Sequence, residues 1–387
     1  MVTLLLYMVG DANRRGYRHL LEAFWDEARA HGLALPCESP VSAASFCEAR
    51  PKITSGLLER VLREVNARAF GPRGICRQRW RGRRVFAADG SKINLRRSEQ
   101  LQRAFGAPHD AHCPQALVTV LFDVCAKMPL DLRVGPYASG ERAPLLEMLD
   151  HIEAGDLIVL DRGYPSHELL QALSSRGIDF LMRLPSMNTF AVVDRLREGR
   201  QRDLMVTIEP PRGSPASWTP LRLRAVKLKT PGGSEVYFLT SLPRKHCSRK
   251  DLAELYHLRW EIEEYYKLFK SEYIGQGLYR STSRSGVLQE IHALVLLLAI
   301  TRLCMSAAAR ASGTDYGELS QKGAVLATAA YLTRVLMAPT TGAALLEIER
   351  LLRRIARVRE PRRPGRSHPR RSYRPARRWG PTGRPGA

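Results

Sequence analysis

At 387 residues, 44% of them hydrophobic and 26% charged, the chain has the length and apolar content for one large domain or two to three smaller ones, which excludes a wholly disordered protein. A formal charge of +23 excludes an acidic surface and predicts affinity for polyanions through phosphate neutralisation and counterion release. From Arg353 onward there are 13 Arg against one Glu, a local +12, and the remaining +11 makes the body basic as well. A ribosomal-type protein would share this charge. The seven cysteines are scattered without a C-x-x-C pair, which argues against a disulfide framework or zinc site and for a reducing compartment. Val2 to Val9 lacks a basic flank and runs into Asp11, unlike a signal peptide. The apolar run Ala293 to Ile300 is too short to span a bilayer. A cytoplasmic, nucleoid-associated protein is the expectation.

Residues 12–70 read as helices. Arg18 to Ala30 is amphipathic, Val41 to Ala49 is a short segment stopped before Pro51, and Thr54 or Ser55 caps a longer helix, Gly56 to Phe70. The tight Arg-Pro-Lys turn between the last two fits a helix-turn-helix, and equally a packing bundle. From Arg84 the character changes to short runs of strand formers: Val85 to Ala88, Ala116 to Val124 and Leu130 to Gly135. A helix (Ala143 to Ile152), a wholly apolar strand (Asp156 to Leu160), a helix (His167 to Ser174) and a strand (Asp179 to Leu184) follow. Apolar strands alternating with helices predict an α/β fold, a mixed sheet covered on both faces. Residues 186–245 break the alternation with short strands (Leu204 to Ile208, Leu221 to Lys227, Glu235 to Leu239) and Pro/Gly turns, a β-rich insertion. Helices resume from Ser248. The expected division is a helical N-terminal region whose turn could contact DNA (1–78), an α/β domain with its insertion (79–310), a C-terminal helical region (311–352) and a disordered Arg/Pro-rich tail (353–387).

The most informative segment is Tyr256 to Lys270. At about 100° per residue, Tyr256, Arg259, Glu263 and Lys270 fall within a stripe about 60° wide, beside an apolar face of Leu255, Leu258, Ile262 and Phe269. Glu261 and Glu264 point away from it, so Glu263 alone of the three sits between cations. A solvated face with i,i+4 ion pairs would read the same in isolation. What sets it apart is the rest of the chain: Asp89 follows one apolar strand and Asp161 ends another, and strand ends open on the crevice where α/β sheets bind ligands.

With Asp89 in A-D-G-S-K, Asp161 in L-D-R-G-Y and the spacing Tyr256-x2-Arg259-x3-Glu263-x6-Lys270 inside R-W-x-I-E-E, the chain resembles the IS4-type DD-E transposases over residues 80–300. The resemblance implies an RNase H-like core with a β-rich insertion between the second Asp and the Glu. It implies that Asp89, Asp161 and Glu263 hold two divalent metal ions, Mg²⁺ with Mn²⁺ as substitute, for in-line displacement at a phosphate. Tyr256, Arg259 and Lys270 would contact DNA phosphates. The partners implied are double-stranded DNA (transposon ends and target) and a second copy in a homodimer, with no membrane. One departure concerns a Trp that some relatives place before the Leu-Thr-Ser run, to stack on a flipped base. Here the stretch is Val236 to Ser241, leaving Tyr237 or Phe238, or Trp218, as the stacking ring. A silent DNA-binding relative acting as a regulator, and a nuclease that does not join ends, stand as alternatives.

Overall fold

The computed structural model describes residues 1–11, 15–72, 74–109, 111–185, 191–230, 233–272 and 279–360. Four helices come first: α1 (Val2–Gly10), α2 (Tyr17–Ala30), α3 (Ala43–Ala49) and α4 (Ser55–Phe70). The apolar N-terminal stretch is thus a helix, and Leu5 and Met8 are fully buried in the core. The side chains of Ser42 and Thr54 cap α3 and α4 by accepting the N–H of Ser45 and Leu57. Between them lies one 3₁₀ turn, Arg50–Lys52. That turn points inward. Arg50 is only 5% exposed and donates to the Tyr17 hydroxyl, the Gly286 carbonyl, Gln289 and Glu290. Packing therefore claims the arginine of the expected helix-turn-helix.

The α/β region runs β1 (Val85–Asn94), α5 (Glu99–Phe105), β2 (Gln115–Asp123), β3 (Met128–Pro136), α6 (Arg142–Met148), β4 (Leu157–Leu160), α7 (His167–Ser175), β5 (Asp179–Leu184), α8 (Ala191–Glu198), β6 (Asp203–Ile208), β7 (Leu221–Lys229) and β8 (Glu235–Thr240). All eight strands form one sheet, ordered β3-β2-β1-β4-β5-β8-β7-β6. The β1–β2 and β2–β3 pairs are antiparallel, while β1–β4 and β4–β5 are parallel, the order and sense of an RNase H-like core. The β-rich insertion adds β8, β7 and β6 to the free edge of β5, all antiparallel. It extends the sheet.

Strand periodicity splits the apolar side chains between two faces. Val85, Ala87, Val159, Leu181 and Phe238 pack on one face with residues of the N-terminal helices and of the later helices α9 (Arg249–Leu258), α10 (Trp260–Lys267) and α11 (Arg284–Ser312). Phe86, Ala88, Ile158, Phe180 and Tyr237 pack on the other face with α6, α7 and α8. By length and composition α11 could cross a membrane, with mean hydropathy 1.9 over its most apolar window, but 78% of that window is buried inside the protein. It is the core helix, apolar all round because it is surrounded. The chain then folds back through α12 (Gln321–Leu336) and α13 (Thr341–Arg357). Helix α13 continues past residue 353, where the tail was expected to begin, and Glu360 still hydrogen-bonds Ser320. The Arg/Pro-rich stretch from 361 on lies outside the described residues.

Candidate active site

The parallel ladder between β1 and β4 ends at the pair Ala87–Val159. Asp89 and Asp161 each stand two residues beyond it. Period-two alternation sends both side chains to the face of Ala87 and Val159, the face that carries α10. The apolar run Val85 to Ala88 predicts a strand that ends at Asp89. In fact β1 continues to Asn94, still paired with β2, and only its β4 side opens at Asp89. The crevice is therefore formed by loss of one neighbour. The Gly163 N–H donates to Asp161 Oδ1 at 2.7 Å, and the Gly90 N–H donates to Asp89 Oδ1 at 3.1 Å. Tyr266 of α10 donates its hydroxyl to the carbonyls of Asp89 and Val118, both at 2.8 Å, fixing the helix to the strand.

Ser248 and Asp251 form a reciprocal capping box that starts α9. The helical path then tightens at Arg259, where the Ile262 N–H reaches the Arg259 carbonyl, and widens into a π-type turn over Leu268–Glu272. One long helix was expected; two in succession and a π-type turn are found. The stripe survives the break. Tyr256, Arg259, Glu263 and Lys270 line one cleft of about 870 Å³ together with Asp89 and Asp161. The other two glutamates are engaged elsewhere: Glu261 pairs with Lys127 at 2.9 Å, and Glu264 accepts from Trp260 Nε1 at 2.6 Å.

Asp89 has the most perturbed acid of the cleft. Burial, then the charges of Glu141 and Asp161, push its carboxyl up to about 7, while Arg259 and the Gly90 N–H oppose the shift. Partial desolvation draws the ammonium of Lys270 down, and attraction to Asp89 works against it. Arg259 is ion-paired with Glu263 and stacks over the Tyr256 ring at 5.6 Å. Even so, the Tyr256 hydroxyl and Arg259 Nε are buried without a hydrogen-bond partner among the described residues. Both are donors, so an acceptor such as a phosphate oxygen would satisfy them. The carboxylates of Asp89, Asp161 and Glu263 are hard anionic oxygens, the donor class that Mg²⁺ and Mn²⁺ take, and a cation would offset the burial and the repulsion that raise Asp89. The donor chemistry fits. Among the described residues no three acidic side chains already stand as a ligating array.

Tyr237 needs correction as a stacking candidate. It is 5% exposed, belongs to the α6–α8 face of the sheet and donates to Glu235 at 3.2 Å, so the sheet separates it from the cleft. Phe238 is on the cleft face but buried, edge-on to Tyr256 at 4.7 Å between centroids. Trp218 is not among the lining residues, whereas Trp260 lines the cleft and is 39% exposed. Arg162, Arg183 and Lys267, which the helix stripe and the strand-end acids do not predict, join Arg259 and Lys270 to give the cleft five cations to three carboxylates. Arg162 lay inside the L-D-R-G-Y motif; Arg183 gave no signal beyond its place near the end of β5.

No curated protein matches the chain. Its fold is similar to that in the cryo-EM structure of the piggyBac transposase synaptic complex with hairpin DNA, at a TM-score of 0.45 and 15% identity, covering 73% of this chain and 59% of that one. The chain thus spans less than two thirds of that transposase. The family described as transposase DDE domain matches residues 80–300, more than half of the sequence and the whole of the cleft, and the chain belongs to that family.

Proposed function

We propose that the protein is an IS4-type insertion-sequence transposase that binds terminal inverted repeats and catalyses metal-dependent DNA cleavage and strand transfer. The observation that carries this reading is the meeting of Asp89, Asp161 and Glu263 in one cleft, beside two buried donors, Tyr256 Oη and Arg259 Nε, that find no acceptor among the described residues. Asp89, Asp161 and Glu263 would hold two divalent ions, Mg²⁺ or Mn²⁺. Bound there, the ions would activate a water or a DNA 3′-hydroxyl and stabilise the leaving oxygen of the in-line displacement. The chain's own residues bind and orient. Tyr256 and Arg259 donate to a phosphate near the scissile bond; Lys270, with Arg162, Arg183 and Lys267, neutralises the flanking backbone. Trp260, in place of Tyr237, offers a partly open ring to an unstacked base. The protein acts on the bacterial nucleoid as a homodimer that pairs two ends. Family membership favours joining over simple hydrolysis, since water and a 3′-hydroxyl use the same site. The intact acid triad favours an active enzyme over a silent regulator.

The test incubates purified protein with a labelled transposon end and Mg²⁺ or Mn²⁺. Nicking and joining are expected, and Asp89→Ala, Asp161→Ala and Glu263→Ala each abolish both while leaving end binding intact. Nicking without joining supports the nuclease reading. Binding without nicking supports the regulator.

A further inference from the structure

Behind the cleft, a glutamate unused by this mechanism touches both aspartate-bearing segments. Glu141 stands just before α6, and its Oε2 accepts the hydroxyl of Tyr164 at 2.8 Å. Tyr164 is fully buried and closes the turn that begins at Asp161, its N–H reaching the Asp161 carbonyl at 3.3 Å. The next residue, Arg142, donates Nε to the Gly163 carbonyl at 3.0 Å. The same Gly163 supplies the N–H that holds Asp161 Oδ1. On the other side, the Glu141 carboxyl lies against the backbone of Gly90. A Cβ there would stand 2.4 Å from Glu141 Cδ and 2.5 Å from Oε1. Gly90 is the residue after Asp89, and alternation turns its open side to the α6 face, away from the cleft. Glu141 is absent from the cleft lining.

We infer that Glu141 and Arg142 form a clamp on the back of the sheet that sets the spacing of Asp89 and Asp161, with Glu141 as a positioning residue for divalent-cation binding. The two aspartates lie past the end of the β1–β4 ladder, so no backbone pairing between those strands holds them in register. The clamp supplies what the ladder lacks. It packs on Gly90 from one side and grips the 161–164 turn at two points from the other. Groups of this kind behind metal ligands typically change affinity by about 10–100-fold when removed.

This inference rests on the proposed role of the cleft, and the experiment separates the two. Mn²⁺ binding to the full-length protein without DNA is followed by the electron paramagnetic resonance of free Mn²⁺. Wild type is compared with Asp89→Ala, Tyr164→Phe, Glu141→Ala and Glu141→Gln. Asp89→Ala is expected to lose the site. Tyr164→Phe, which removes a single oxygen and spares the fold, and Glu141→Ala are each expected to weaken it roughly tenfold. Glu141→Gln should restore affinity to within about threefold, because an amide oxygen still accepts the tyrosine hydrogen. Wild-type affinity in Tyr164→Phe, or a Glu141→Gln as weak as Glu141→Ala, overturns the clamp while leaving the cleft's role standing. Equal Mn²⁺ binding by wild type and Asp89→Ala overturns both.

Discussion

Replacing Asp89 by Asn should stabilise the metal-free protein, by an amount that depends on pH. The Asp89 carboxyl is raised from 3.8 to about 7 in the folded chain. A carboxyl raised in this way binds more protons folded than unfolded, so its contribution to stability is present below the unfolded value and is lost as pH rises towards the folded one. The loss accrues at about 1.4 kcal/mol per pH unit and levels off near pH 7, at a ceiling of about 4 kcal/mol. Asn has the same shape and no charge to desolvate. Its advantage over wild type should be small at pH 4, about 1.5 kcal/mol at pH 5 and about 4 kcal/mol at pH 8. Asp123, buried and pushed up to about 6, adds the same trend to both proteins and cancels in the difference. Urea unfolding with a chelator present at pH 4, 5, 6, 7 and 8 measures the gap. A constant gap, or an Asn variant less stable than wild type at pH 8, refutes the reasoning.

Four further outcomes follow from the same structure. Arg50→Ala should cost about 3–5 kcal/mol in urea unfolding, since Glu290 and Gln289 lose a buried partner held by side chains no more than 6% exposed. Gly74→Ala would put a Cβ 2.1 Å from the carbonyl oxygen of Ala69, a backbone atom that cannot swing aside, and should cost about 2–4 kcal/mol by the same measurement. Arg183→Ala, which removes a cation from the cleft, should reduce the slope of log affinity for DNA against log salt by about 1; an unchanged slope would detach it from the DNA path. Glu261→Ala and Glu264→Ala should leave nicking within about threefold of wild type, while Glu263→Ala loses at least roughly a hundredfold. The reverse ranking in a nicking assay would break the helix argument.

Glu263 was legible because a helix repeats every 3.6 residues and only one of three neighbouring glutamates falls between Tyr256, Arg259 and Lys270. That logic tolerated the break at Arg259, since tightening there and widening at Leu268–Glu272 act in opposite senses. Asp89 and Asp161 were legible as acids after apolar strands. The continuation of β1 was missed because Gly90-Ser91 reads as a turn, although Ser91 and Ile93 are buried and Lys92 and Asn94 exposed, a period-two signal. Helix α1 was missed because a nine-residue segment that is almost wholly apolar, with Thr3 as its one clearly polar side chain, carries no periodicity. Glu141 left no local trace. Its partners, Gly90 within β1 and Tyr164 in the turn after β4, are brought to it only by the sheet.

Helix α11 binds the N-terminal helices and the sheet into one unit. Gln289 holds the carbonyls of Arg50 and Ile53, His292 meets Glu59 at 3.0 Å, and Leu297 lies against Gly10. It also packs on β3 and α5, and on α12 and α13. A truncated protein starting near residue 79 would therefore present the flank of α11 to water together with a Glu290 stripped of its Arg50 ion pair, and would associate with itself instead of yielding an isolated catalytic domain. Heating the intact chain should give a single cooperative calorimetric transition spanning both regions. The proposed end binding and strand cleavage are therefore better tested apart by point substitution than by dissection.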